Sequence, residues 1–89
     1  MGKEIQIPQG VYKIGRDFYE GIYLIKCMND FSQISHYYKD EYGDDADDYY
    51  SLGGDNSMDL RLDLKNGDKL EISGNVTIQK ILNPEILFD

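Results

Sequence analysis

Leucine falls at every second position through Leu60, Leu62 and Leu64, with Arg61, Asp63 and Lys65 between and after them. Beyond Asn66-Gly67 the alternation resumes, Leu70 and Ile72 against Lys69, Glu71 and Ser73. Successive side chains of a strand point to opposite faces, so each run has one dry face and one wet face. The pattern predicts a β-hairpin. A two-residue loop at Asn66-Gly67 would set Leu62 opposite Glu71 and Leu64 opposite Lys69, placing charge on the dry face. A three-residue loop, Lys65-Asn66-Gly67 with Gly67 left-handed, sets Leu62 opposite Leu70 and Leu60 opposite Ile72. The second register is the expected one.

Ser73-Gly74-Asn75 reads as the next turn, and Val76 to Ile81 as a third consecutive strand with Val76 and Ile78 on one face. Asn83-Pro84 ends that strand, leaving Ile86, Leu87 and Phe88 to dock on the body. Upstream, Ile34 to Lys39 and Tyr49 to Leu52 are further strand candidates. No helical period runs for ten residues. The nearest helix start is Asn29-Asp30 before Phe31 to Ile34, worth one turn at most.

Near the N-terminus a pattern recurs at an offset of eleven residues: Gly10-Val11-Tyr12-Lys13-Ile14, then Gly21-Ile22-Tyr23-Leu24-Ile25. In each copy a turn glycine leads into a strand whose Tyr and Ile share a face, with Gly15-Arg16-Asp17 in the connection. About seven short strands with turn residues between them imply an all-β fold, a small antiparallel β-sandwich or jelly-roll-like barrel.

At 89 residues the chain is one domain, residues 1–89, with one small core. Nine basic residues face seventeen acidic ones, a net charge of −8. The whole excess lies between positions 40 and 59, where eight acids stand without a Lys or Arg. This marks an acidic loop insertion on an otherwise neutral body. Nucleic acid is excluded as a partner, because binding it requires cations to neutralise phosphates. No apolar run reaches the roughly 18 to 20 residues of a bilayer span, and no targeting signal is visible. Met1-Gly2 is not a myristoylation site, since Gln6 stands where Ser or Thr is needed.

The run Gly10 to Ile25 resembles a motif, G-x-Y-x-V-G-x-D-I-P-A-G-x-Y, of small β domains in Gram-positive bacterial surface and secreted proteins. Leu64 to Gly74 looks like the same family's second signature, a strand, an NG or DG turn with a following Asp, and another strand. Together the two stretches cover 27 of the 89 residues. Phe18-Tyr19-Glu20 stands where the pattern has Ile-Pro-Ala, so the proline turn is missing. The resemblance implies an accessory module without catalytic residues. It places the chain at the cell surface or outside the cell if this is an excised domain, and otherwise the chain is expected in the cytoplasm.

Cys27 and His36 are the nucleophile and base candidates, but nothing in the sequence brings them together with an oxyanion site. Cys27 is expected to be a packing residue beside Tyr23 and Ile25, and His36 a partly exposed strand residue. Asp44, Asp45, Asp47 and Asp48 raise a calcium hypothesis, because hard cations take six to eight oxygen ligands. The spacing is not that of an EF-hand loop, and a solvated hairpin loop of mutually repelling charges is the competing expectation. Tyr37, Tyr38, Tyr42, Tyr49 and Tyr50 cluster beside those acids. Tyrosines bury large area at low entropic cost, which suits contact with protein or sugar. Neighbours such as Tyr37 and Tyr38 face opposite ways, so at most half can line one surface.

The sequence therefore indicates a non-catalytic accessory or protein-interaction module, with protein or glycan as partner and no required cofactor. The alternative is a calcium-dependent or carbohydrate-binding β-sandwich module. Oligomeric state is not readable from these residues.

Overall fold

The computed structural model describes residues 3–28, 31–53 and 59–81. Eight strands occur in it: β1 (Glu4–Ile7), β2 (Gly10–Lys13), β3 (Gly21–Cys27), β4 (Phe31–Lys39), β5 (Asp45–Gly53), β6 (Leu60–Leu64), β7 (Lys69–Ser73) and β8 (Val76–Ile81). They form two four-stranded sheets, ordered β1-β8-β3-β6 and β2-β7-β4-β5, with every ladder antiparallel. This is the strand order of an eight-stranded jelly roll, two interlocked Greek keys. Among the described strands only β4 and β5 form a hairpin; every other pair of consecutive strands lies in different sheets. The all-β sandwich is as the sequence indicates, and among the described residues there is no helix of any length, hence none that could cross a membrane.

The expected hairpin of Leu60–Leu64 with Lys69–Ser73 does not form. Leu62 pairs with Tyr23 and Leu64 with Gly21 in the first sheet, whereas Leu70 pairs with Tyr12 and His36 in the second. Leucines on both strands still face the core, and Leu64 and Leu70 are fully buried there. Alternation reports that a strand has a dry face; it is silent about which backbone edges pair. The turn decides. Gly67 is left-handed, as expected (φ 93°), but no non-glycine residue among those described has positive φ, so Asn66 does not complete the type I′ or II′ turn of a two-residue hairpin. Asp68 N donates to Lys65 O, closing a type II-like turn over Asn66-Gly67. Likewise β8 is no partner of β7. It lies between β1 and β3, and Gly74 (φ 89°) carries the chain across.

Asp68 holds the crossing. Its Oδ2 accepts from His36 Nε2 at 2.8 Å and from Lys65 N at 3.0 Å, while its carbonyl accepts from Ile14 N at 2.9 Å. His36 and Asp68 are both buried, 6% exposed each, which corrects the expectation of a partly exposed histidine. No buried side-chain polar atom among the described residues lacks a hydrogen-bond partner.

The eleven-residue repeat has a matching structure. Tyr12 OH donates to Pro8 O (2.5 Å) and Tyr23 OH to Tyr19 O (2.6 Å), each tying its strand to the turn four residues earlier, in the manner of a tyrosine corner. Phe18 packs between the two rings, with centroids 5.5 Å from Tyr12 and 6.2 Å from Tyr23. It fills space on the interior side of a turn that lacks proline.

Four expectations differ at the level of elements. Phe31 to Ile34 begins β4 and makes no helical turn. The strand candidates at 34–39 and 49–52 are longer, at 31–39 and 45–53, because nine consecutive residues of each pair across the ladder. Asp45 to Asp48 therefore belong to a strand; within the described part of the acidic insertion Asp40 to Asp44 form the tip loop, and residues 54–58 lie outside the described residues. Glu4–Ile7 is an additional strand, its Ile5 and Ile7 paired with Ile78 and Val76. Asn29-Asp30, Asn83-Pro84 and the docking segment Ile86 to Phe88 lie outside the described residues.

Two stability tests follow from the crossings. Asp68→Ala leaves the buried His36 Nε2 and the Lys65 N–H without their partner and should cost about 3 kcal/mol in urea unfolding, since removing one member of a buried pair is expensive. A loss below about 1 kcal/mol would mean that water replaces the carboxylate without penalty. Gly67→Ala meets no atom within 4 Å and should cost about 1 to 2 kcal/mol from φ alone. Gly74→Ala should cost about 3 kcal/mol or more, because its Cβ would lie 2.9 Å from Phe31 O and 3.3 Å from Ser32 Cα, which are backbone.

Candidate functional site

Every tyrosine and aspartate proposed from the sequence as a binding or metal candidate lies on the β4–β5 hairpin. Strand parity sorts them. On the inner face stand Ser32, Ile34, His36 and Tyr38 of β4, paired with Leu52, Tyr50, Asp48 and Ala46 of β5. On the outer face Ser35 pairs with Tyr49, Tyr37 with Asp47 and Lys39 with Asp45. Tyr37 and Tyr49 are thus diagonal neighbours on one open surface, separated by about 7 to 8 Å, within reach of aromatic side chains. Tyr49 is 61% exposed, and the Lys69 ammonium sits 4.5 Å above the Tyr37 ring. Tyr42 stands in the tip loop at 80% exposure.

The tip is built by one carboxylate. Asp40 Oδ1 accepts from the backbone N–H groups of Tyr42 and Asp44, both at 2.9 Å, and Asp40 N donates to Asp44 O. An Asx-type turn of this kind needs the acid for geometry. Asp45 is engaged by the Lys39 ammonium, which holds its carboxyl below the usual range. Asp48 accepts from Tyr38 OH at 3.0 Å. That hydrogen bond to Asp48 is the chief reason the Tyr38 hydroxyl titrates above its ordinary value. Tyr50 is raised as well, by burial first and then by the Asp48 charge.

The four aspartates of the calcium hypothesis are not brought together. Asp44 closes the loop, Asp45 and Asp47 project from the outer face, and Asp48 projects from the inner one. Among the described residues no three His, Cys, Asp or Glu side chains are placed to share a metal ion. Cys27 and His36 are not joined either. Cys27 Sγ lies 3.3 Å from Ser32 Oγ, whereas His36 is held by Asp68.

Beneath the inner face of the hairpin tip lies an open groove of about 780 Å³, with His36 and Asp68 among its lining, Tyr38 and Ala46 on one side and Lys65 and Asn66 on the other. The His36 ring lies 4.8 Å from that of Tyr38. Parity carries the signal for this buried pair: Asp68 keeps step with Leu70 and Ile72, and His36 with Ile34, so both occupy inward positions.

No family model matches the sequence, and neither a curated protein nor a solved structure matches it.

Because strand parity divides the aspartates between two faces, calcium titration should give no calorimetric heat and no rise in melting temperature. A saturable heat abolished by Asp47→Asn would show that the carboxylates converge on the ion.

Proposed function

We propose that the protein is a non-catalytic interaction module that holds a basic partner protein through the β4–β5 hairpin. The observation that carries this is the placement of Tyr37 and Tyr49 side by side on an open sheet face, on a hairpin whose described residues 31–53 hold six acids and one lysine. Exposed rings supply contact area, and the charge imbalance selects for cations and repels acidic surfaces. Cys27 and His36 are each occupied by another side chain, Ser32 and Asp68, which favours structural over catalytic roles. The motif resemblance supplies a setting for such a module, at a Gram-positive cell surface or secreted.

A second reading is a carbohydrate-binding sandwich. It is favoured by the same diagonal pair of rings, flanked on the ladder by Gln33, Ser35 and Ser51, which can hydrogen-bond sugar hydroxyls. The calcium-dependent form of that reading would draw on Asp44, Asp45, Asp47 and Asp48, and the calcium titration tests it.

Parallel arrays of basic peptides and of neutral glycans separate the two readings. Binding to basic peptides, weakened at least about tenfold by the double variant Tyr37→Ala/Tyr49→Ala at unchanged melting temperature, is the expected result. Signals confined to glycans transfer the face to sugar. Binding unaffected by the double variant removes the outer face from either role.

A further inference from the structure

We propose that the partner engages the free edge of β5 as an added strand, and that it is an extended segment with lysine or arginine in one half and apolar residues in the other. This inference rests on the interaction-module reading and goes beyond it by naming the backbone edge and the chemistry of the segment.

The edges of the two sheets are unequal. β1, β2 and β6 bound their sheets with only 4, 4 and 5 residues, and short edges are a normal protection against unwanted pairing. β5 bounds the second sheet with 9 residues, a length of about 30 Å at the usual rise per residue. Among the described residues no strand lies on its far side, so its outward backbone N–H and C=O groups form a ladder open to a partner. Its proximal side is paired with β4 over all nine residues, and β4 is backed in turn by β7 from Gln33 to Tyr37.

The side chains along this edge are graded. Asp45, Asp47 and Asp48 occupy the first half, while Tyr49, Tyr50 and Leu52 occupy the second. Asp45 already has Lys39; Asp47 on the outer face and Asp48 on the inner face have no lysine or arginine partner among the described residues. Side chains of an added strand stand beside those of β5 on the same face, about 5 Å away. A cation on each face would therefore meet Asp47 and Asp48, and apolar groups would lie beside Tyr49 and Tyr50. A second copy of this chain fits less well, because it brings another acidic hairpin and no cation for Asp47 or Asp48.

The test uses the whole protein and nine-residue peptides with consecutive lysines in one half, so that a cation falls on each face, and valine or tyrosine in the other, made in both chain orders. Two further forms carry backbone N-methyl groups on either the odd or the even residues. Only alternate N–H groups of an added strand face β5. One methylation set should therefore lower affinity at least about tenfold, and the other should leave it within about twofold. Hydrogen exchange should slow at alternate amides of β5 in the complex. Equal effects of the two sets, or no effect of either, overturn strand addition while leaving a basic partner in place. The charge assignment is tested by Asp47→Lys/Asp48→Lys, which should exchange the preference for the lysine peptide for its glutamate counterpart. A folded variant that keeps its preference for lysine overturns that assignment. A concentration-dependent dimer that blocks the peptide gives the edge to a second copy and overturns the proposal. Absence of peptide binding, with array binding through Tyr37 and Tyr49 retained, overturns strand addition alone; blank arrays overturn the parent reading too.

Discussion

The buried contact between His36 and Asp68 is the point on which the connectivity turns. An inward-pointing carboxylate one turn away from a leucine strand would be costly unless partnered, and at Asp68 the partners are a ring from β4 and the N–H of Lys65. The bond to Lys65 is local to the turn, whereas the bond to His36 joins that turn to β4, beside which β7 lies. The other edge of β7 is taken by β2, which leaves no edge for a direct β6–β7 hairpin. The polar pair ties the turn to β4 directionally, which apolar burial cannot do because it is non-directional.

A second layer of definition comes from the tyrosine corners. A chain of this size buries a modest fraction of its surface, so the turns between sheets have little apolar area to hold them. Tyr12 and Tyr23 each spend a hydroxyl on the carbonyl of the preceding turn while their rings close on Phe18 from either side. The eleven-residue recurrence in sequence is therefore a recurrence of one structural device, used once in each sheet.

The hairpin of β4 and β5 differs in character from the rest. Among the described strands it is the only consecutive pair within a sheet, it carries five of the eight excess negative charges, and β7 supports only residues 33–37 of β4. Strand formation through Asp45 to Asp48 runs against the low β-propensity of aspartate. Nine paired residues and the Asp40 turn override that preference locally. An acidic run that reads as loop thereby becomes part of an edge strand, with its carboxylates divided between two faces.

Period-two patterning is a local property, and it was enough to indicate an all-β sandwich, the dry faces of β6, β7 and β8, and the twin glycine-led strands. The same parity rule divides Tyr37 from Tyr38 and Tyr49 from Tyr50 without coordinates. Pairing is not local. Whether β7 lies beside β6 or between β2 and β4 depends on hydrogen bonds between residues as far apart as His36 and Asp68, 32 positions along the chain. The strand status of Asp45 to Asp48 was hidden for the same reason: their own preferences favour loop, and only the neighbouring strand supplies the backbone partners that make them extended. Composition and alternation by themselves determined what would be buried; tertiary structure decided which edges meet, because backbone hydrogen bonds are satisfied between strands and leave no trace in the order of side chains.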